Sequence, residues 1–166
     1  MIIDTKYHPV VSQIINLLEK DHFWFETFEH KPVRTSEEAV KIRDGYSLHQ
    51  GAKALIVRVK ISNTLKRFTM LVFPGDARFD AEKVKQLFKA RDVRLASEEE
   101  VFKITHGVKL GGVPPFGNLF RLQVVADPVL LQNEKIVFNA GDQSFSIGMK
   151  SKDYKLIVHP LVETII

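Results

Sequence analysis

Ala54-Leu55-Ile56-Val57-Arg58-Val59 and Phe68-Thr69-Met70-Leu71-Val72-Phe73, with Ser62-Asn63-Thr64 between them, read as two β-strands joined by a turn. Pro74-Gly75-Asp76 closes the second strand. Upstream, Val10, Val11, Ile14, Ile15, Leu17 and Leu18 recur at helical spacing and predict a helix over residues 9–20. A strand follows over Phe23–Phe28, then a helix opened by Thr35-Ser36-Glu37-Glu38, with Thr35 and Glu38 at capping-box spacing, and ended by Asp44-Gly45. Downstream, Asp80 caps a helix carrying Val84, Leu87 and Phe88 on one face. A short strand at Val93-Arg94-Leu95 precedes a second capping box, Ser97-Glu98-Glu99-Glu100, whose helix stops at Gly107. Strands are expected near residues 119–125, 135–139 and 144–149, then a helix capped by Ser151 or Asp153 and a terminal strand over 161–165. Helices interleave with strands, but hairpin-like pairs occur too. The expected fold is therefore α/β in the α+β sense, a mixed and partly closed β-sheet surrounded by helices rather than a doubly wound array.

The chain has 166 residues, the size of one domain, and residues 1–166 are read as such. It contains no cysteine, which excludes disulfides, thiol nucleophiles and cysteine-bearing metal sites. No apolar run reaches the roughly 18 residues of a spanning helix. The start, Met1-Ile2-Ile3-Asp4-Thr5-Lys6, lacks the segments of a secretory signal, so a cytoplasmic protein with no membrane partner is expected. A formal charge of +4 is compatible with a polyanionic partner such as RNA.

Familiar catalytic signatures are missing. There is no Gly-x-Ser-x-Gly elbow, no phosphate-binding Gly-Lys-Ser/Thr loop and no dinucleotide glycine fingerprint. His8, His22, His30, His49, His106 and His159 are scattered without paired metal spacing, and neither a metal nor another cofactor is expected. The unusual stretch is Gly111-Gly112-Val113-Pro114-Pro115-Phe116-Gly117. Adjacent glycines leave backbone amides uncovered, and the two prolines stiffen the rest of the loop. Such a loop is either an ordinary turn or a place where bare N–H groups meet a ligand. Lys53, at the entry to the first long strand, also has two readings. It snorkels at the strand edge, or it is a fixed positive charge beside a pocket, holding phosphate or a developing oxyanion. Lys83, Lys85, Lys89, Arg91 and Arg94 read as a solvated face.

These residues resemble the YbaK/ProX family, the stand-alone relatives of the bacterial prolyl-tRNA synthetase editing domain. Six segments carry the resemblance in order: His30-x-Pro32-Val33-x-Thr35-Ser36-Glu37-Glu38-Ala39, Gly51-Ala52-Lys53-Ala54-Leu55, Pro74-Gly75-Asp76, Arg94-Leu95-Ala96-Ser97-x-Glu99-Glu100-Val101, the Gly111–Gly117 loop, and Phe138-Asn139-Ala140-Gly141. The resemblance runs from about Phe28 to Ile166 and implies metal-independent hydrolysis of the ester of a mischarged tRNA, with no covalent intermediate. By position it implies that Lys53 is the essential lysine. It likewise implies that Gly111, Gly112, Val113, Pro114, Pro115, Phe116 and Gly117 bind the aminoacyl ester. Asn139, Ala140 and Gly141 would line the same pocket, with Phe28, His30 and Thr35 on a more variable rim. Backbone N–H groups of Gly111 and Gly112 would stabilise the oxyanion, worth roughly 3 kcal/mol per donor. No general base is evident, and the substrate's own ribose hydroxyl is a plausible helper. Aminoacyl-tRNA is the implied partner, with or without a synthetase. Alanyl-, cysteinyl- and seryl-tRNA all remain open as substrates, as does the oligomeric state. Two other readings stay open as well, a non-catalytic tRNA- or synthetase-binding module and a hydrolase of small aminoacyl esters.

Overall fold

In a computed structural model, residues 6–33 and 35–166 are described, without the Ser36 side chain; Met1–Thr5 and Arg34 lie outside the description. The elements run α1 (Pro9–Lys20), β1 (Phe25–Glu29), α2 (Ser36–Val40), β2 (Ala52–Lys60), β3 (Lys66–Pro74), α3 (Ala81–Phe88) and β4 (Asp92–Leu95). They continue with α4 (Glu98–Ile104), β5 (Gln123–Ala126), α5 (Pro128–Leu131), β6 (Lys135–Asp142), β7 (Phe145–Lys150), α6 (Ser151–Val158) and β8 (Leu161–Val162).

The β2–β3 hairpin is the centre of the molecule. Its antiparallel register sets Lys53 opposite Phe73 and Ile56 opposite Met70. β4 pairs with β2, and β5 and then β8 add in parallel beyond β3, giving a mixed five-stranded sheet in the order β4-β2-β3-β5-β8. Side chains alternate between sheet faces along a strand. Ile56, Met70, Val72, Val124 and Ala126 point into one buried cluster with α1, β6 and β7. Val57, Val59, Leu71, Phe73 and Val125 point into another, closed by Val84 of α3 and by Ile165. Burial on both faces explains why these strands are apolar almost throughout.

β1, β7 and β6 form a separate antiparallel sheet of three, and the bridge Gly51–Val137 joins it to the larger one. The mixed architecture is the expected one, but neither sheet closes: there are two open sheets with a core between them. α1 has no Ser, Asp or Asn cap. His8 Nδ1 accepts the Val10 N–H at 3.1 Å, while Nε2–H donates to the His106 carbonyl at 2.9 Å. Both expected capping residues Asp80 and Ser97 do cap, and Ser97 and Glu100 exchange bonds reciprocally.

Several boundaries differ from the sequence expectation. α2 ends at Val40, well before Gly45. The expected strand over 119–125 starts only at Gln123, because Gly117–Phe120 coils into a 3-10 turn that Arg121 leaves at φ +58°. Neither Ser151 nor Asp153 caps α6; Lys150 is the cap residue, and the Ser151 hydroxyl donates to the Asn133 carbonyl at 2.5 Å. The terminal strand is only Leu161–Val162, because the Ile165 and Ile166 amides are taken by Asp127.

Asp127 is fully buried, although nothing in the spacing of its neighbours marks it as an interior residue. One carboxylate oxygen caps α5 through the Val129 N–H at 2.9 Å, and the other accepts Ile165 and Ile166 at 2.8 and 3.2 Å. Asp127→Ala leaves three amides without their acceptor, at a cost of about 2–4 kcal/mol in chemical denaturation. A loss below about 1 kcal/mol would show that the C-terminal segment is not held this way.

A candidate active site at the hairpin entry

A cavity of about 430 Å³ opens where β2 begins, between α2, the β4–α4 connection, the glycine loop and β6. Its walls are mostly apolar, with Val33, Ala39, Val40, Ala54, Ile56 and Leu110 among them. Its polar groups are Lys53, Arg43, Asn139, Thr35, Tyr46 and Ser47. Such a mixture, apolar walls with a few fixed polar groups, is the usual make-up of a small-molecule site.

Five of the expected site residues meet here: Lys53, Gly111, Val113, Asn139 and Thr35. Lys53 is half-buried and its ammonium sits over the Phe73 ring, 5.6 Å from the centroid. Among the described residues it has neither a hydrogen bond nor an ion pair, so the charge is uncommitted. The remaining expected residues lie elsewhere. Gly112, Pro114, Pro115, Phe116, Gly117, Ala140, Gly141, Phe28 and His30 do not line the cavity. Phe116 is fully buried between Phe138 and Tyr154, and the Tyr154 hydroxyl donates to the Pro115 carbonyl at 2.7 Å. The second half of the Gly-Pro loop is thus an anchor in the core, and only its first half faces the cavity.

That first half is stitched to the β6–β7 turn. Asn139 Nδ2 donates to the Gly111 carbonyl at 2.6 Å, Gln143 Nε2 to the Leu110 carbonyl at 2.6 Å, and the Gly141 amide to the Gly112 carbonyl at 2.8 Å. Gly111 holds φ +84°, where a side chain would be strained, and a Cβ there would lie 3.1 Å from Gln143 Nε2. The Gly112 N–H donates to the Lys109 carbonyl at 3.0 Å, which removes it as an oxyanion donor in this conformation. The Gly111 N–H has no acceptor among the described residues. A bulge between Asn139 and Asp142 interrupts the β6–β7 ladder and aims the Asn139 side chain across the cavity wall.

Arg43 is a cavity-lining residue that the sequence does not reveal. It follows the buried Ala39 by one helical turn, but α2 has already ended there and Asp44-Gly45 disguises it as turn punctuation. Only 6% of it is exposed. Arg43 Nε donates to Ser146 Oγ at 3.0 Å and Nη2 to Asn139 Oδ1 at 2.7 Å. Burial pulls its pKa down to about 10, leaving it protonated at neutral pH.

His30 sits behind this group rather than on the rim. Its Nδ1–H donates to the Lys31 carbonyl at 2.9 Å, and Nε2 meets Ser146 Oγ at 2.7 Å. A carbonyl only accepts, so the neutral ring carries its proton on Nδ1 and offers Nε2 as an acceptor. The single Ser146 hydroxyl proton is then shared between His30 and Asn139 Oδ1, the latter at 3.0 Å. Burial, aided by the Arg43 charge, holds the His30 pKa below its ordinary value. A depressed histidine stabilises the fold fully above its unfolded pKa of about 6.5, and that stability is lost as pH falls through the folded value. His30→Gln is expected to flatten this acid limb in thermal melts taken as the pH falls below about 6.5. Parallel curves for the two proteins would refute the arrangement.

A mixed α/β domain with a half-apolar cavity, an uncommitted lysine and a stapled glycine loop has the make-up of a small-ligand site, and comparison with known proteins gives its family. Residues 30–156 match the family described as Aminoacyl-tRNA editing domain, and the chain belongs to that family. It is 34% identical over 150 residues to the Multifunctional Ser/Thr-tRNA deacylase ProXp-y of Escherichia coli (strain K12), covering 90% of this chain and 88% of that protein. It is also 33% identical over 154 residues to a Proline--tRNA ligase of Dehalococcoides mccartyi (strain BAV1), of which it covers 25%. Among solved structures, hypothetical protein APE2540 superposes with a TM-score of 0.79 at 25% identity, covering 92% of this chain and 98% of that one. A structure proposed as a trans-editing enzyme for prolyl tRNA synthetase superposes at 0.78 and 23% identity, covering 95% and 97%, and shares the fold.

Proposed function

We propose that this chain is a trans-acting aminoacyl-tRNA deacylase that hydrolyses the ester of seryl- and threonyl-tRNA in proofreading. The observation that carries the reading is the pairing of an uncommitted Lys53 ammonium with an uncommitted Gly111 N–H on one cavity wide enough for an aminoacyl group. The E. coli relative named for Ser/Thr-tRNA deacylation supports the choice of amino acid.

The reaction is displacement at the ester carbonyl. A water oxygen bonds to the carbonyl carbon, negative charge gathers on the carbonyl oxygen, and the bond to the ribose oxygen then breaks. The proton surrendered by water ends on that ribose oxygen, so free amino acid and uncharged tRNA result. The Lys53 ammonium and the Gly111 N–H are the protein groups free to meet the developing oxyanion. Lys53 is equally able to hold the terminal phosphate, and the two roles separate kinetically. No side chain at the cavity is assigned as general base; the vicinal ribose hydroxyl of the substrate relays the proton in this reading. Synthetase association is not required by any of these steps. Among the described residues no helix is long and apolar enough to cross a membrane, and the reading places the work in the cytoplasm with tRNA.

The test is deacylation of a panel of correctly and incorrectly charged tRNAs. Release of serine and threonine well above the spontaneous rate is the expected result. Tight tRNA binding with no release across the panel would replace the enzyme by a binding module. Equal rates on aminoacyl-adenosine and on whole aminoacyl-tRNA would make it a small-ester hydrolase.

A further inference from the structure

We infer that Arg43 is the residue that selects the acyl group, by donating to the side-chain hydroxyl of a seryl or threonyl ester. The inference rests on the deacylase reading and deepens it. A guanidinium has five N–H donors, and here two are used. Both acceptors, Ser146 Oγ and Asn139 Oδ1, are neutral, and no carboxylate pairs with Arg43 among the described residues. A buried cation without a counter-charge is costly, and proteins normally pair it. This one instead lines a cavity with donors to spare, so the missing acceptor is to be sought in the ligand.

The chemistry of an aminoacyl ester then decides which of its atoms faces Arg43. The α-amino group, with an ordinary pKa of about 8, is largely cationic at neutral pH and is repelled by the guanidinium. The ester must stay joined to a nucleic acid outside the cavity, so it lies toward the mouth. Lys53, only half-buried, and the exposed Gly111 are the groups that can meet it there. Arg43, nearly all of it buried, meets what enters ahead of the ester, the amino-acid side chain. A methyl group offers it nothing, whereas a hydroxyl supplies a lone pair. Sites built to bond a hydroxyl discriminate strongly against the analogue lacking it, because their polar groups are otherwise left unpaired.

The guanidinium is also held in one orientation. Asn139 Nδ2 is committed to the Gly111 carbonyl, which turns Oδ1 toward Arg43, and Ser146 fixes Nε from the other side. Neutral His30 behind Ser146 keeps a second positive charge out of the group. Asp142 is the acid that acts on His30 from the neighbouring turn.

The test compares kcat/KM for seryl-, threonyl- and alanyl-tRNA in the wild type and in Arg43→Ala, with thermal melts and circular dichroism confirming folded protein. The expected result is a fall of about 10- to 100-fold in the seryl-over-alanyl ratio. Millimolar guanidinium ion added to Arg43→Ala should recover part of that ratio, which a purely structural role would not allow. Arg43→Lys, keeping charge but losing the fork, should fall between the two. If the wild type hydrolyses the esters and the ratio is unchanged in Arg43→Ala, the selectivity assignment is overturned while the deacylase reading stands. If both rates fall together and guanidinium does not rescue the ratio, Arg43 serves the shared part of the substrate or the fold, and the assignment is again overturned. If the wild type hydrolyses none of the three, the deacylase reading fails and takes the assignment with it.

Discussion

Lys53→Ala should lose deacylation by about 100-fold or more while remaining folded. The two halves of that expectation come from the same fact. Among the described residues, the ammonium makes no hydrogen bond and no ion pair, and its one interaction is with the Phe73 ring. A cation over an aromatic ring is worth about 0.5–1 kcal/mol at an accessible site, so the melting temperature should shift by only a few degrees. The charge, by contrast, is not replaced by another cation at the mouth of the cavity, since Arg43, the other cation lining it, is buried. The kinetic split separates the two roles open to it. Loss in kcat with KM unchanged means that Lys53 acts on the transition state, as an oxyanion partner would. A raised KM whose excess over the wild type shrinks as salt rises means a grip on the terminal phosphate. Full activity in Lys53→Ala would remove the main protein element of the proposed mechanism.

Gly141→Ala is the second large effect, this time on stability. Gly141 stands in the β6–β7 bulge at φ +112°, a backbone region that side chains avoid. A Cβ built there would lie 2.0 Å from Val10 Cγ1, in the first turn of α1. Backbone strain contributes about 1–3 kcal/mol and overpacking a similar amount. A total on the order of 4 kcal/mol lowers the melting temperature by roughly 10 °C for a chain of this size. Combining it with Val10→Ala should recover the steric part and leave the backbone part, so the two changes are expected to couple by at least about 1 kcal/mol. Strict additivity would show that α1 does not pack on the bulge as described. Deacylation should drop as well, because the Gly141 amide holds the Gly112 carbonyl and with it the loop that carries Gly111.

The same glycine shows why part of the site is legible in the chain and part is not. The family resemblance implies that Asn139, Ala140 and Gly141 line the pocket, and only Asn139 does; Ala140 is buried in the core and Gly141 packs against Val10 of α1. The Gly-Pro loop shows the same division. Glycine and proline report unusual backbone, and Gly111–Gly117 does contain it, but they do not report which end of a loop faces a ligand. Phe116 is in the core and Gly111 is at the cavity, and nothing in their spacing distinguishes them.

Local physics alone determined the main elements. Apolar periodicity set α1 and the β2–β3 hairpin, and short-range caps at Asp80 and Ser97 started α3 and α4, since these signals act over four residues or fewer. Six ordered segments likewise pointed to the editing-domain family, to which the chain belongs. Only the tertiary structure decided that the sheets stay open and that Asp127 ties α5 to the C-terminus. It alone decided that Arg43 lies buried and without a counter-charge, bonded across about a hundred residues to Asn139 and Ser146. An arginine after a short helix is, in sequence, a solvated charge; its burial is the product of what strands β6 and β7 bring over it, and long-range packing leaves no mark on the spacing of its neighbours.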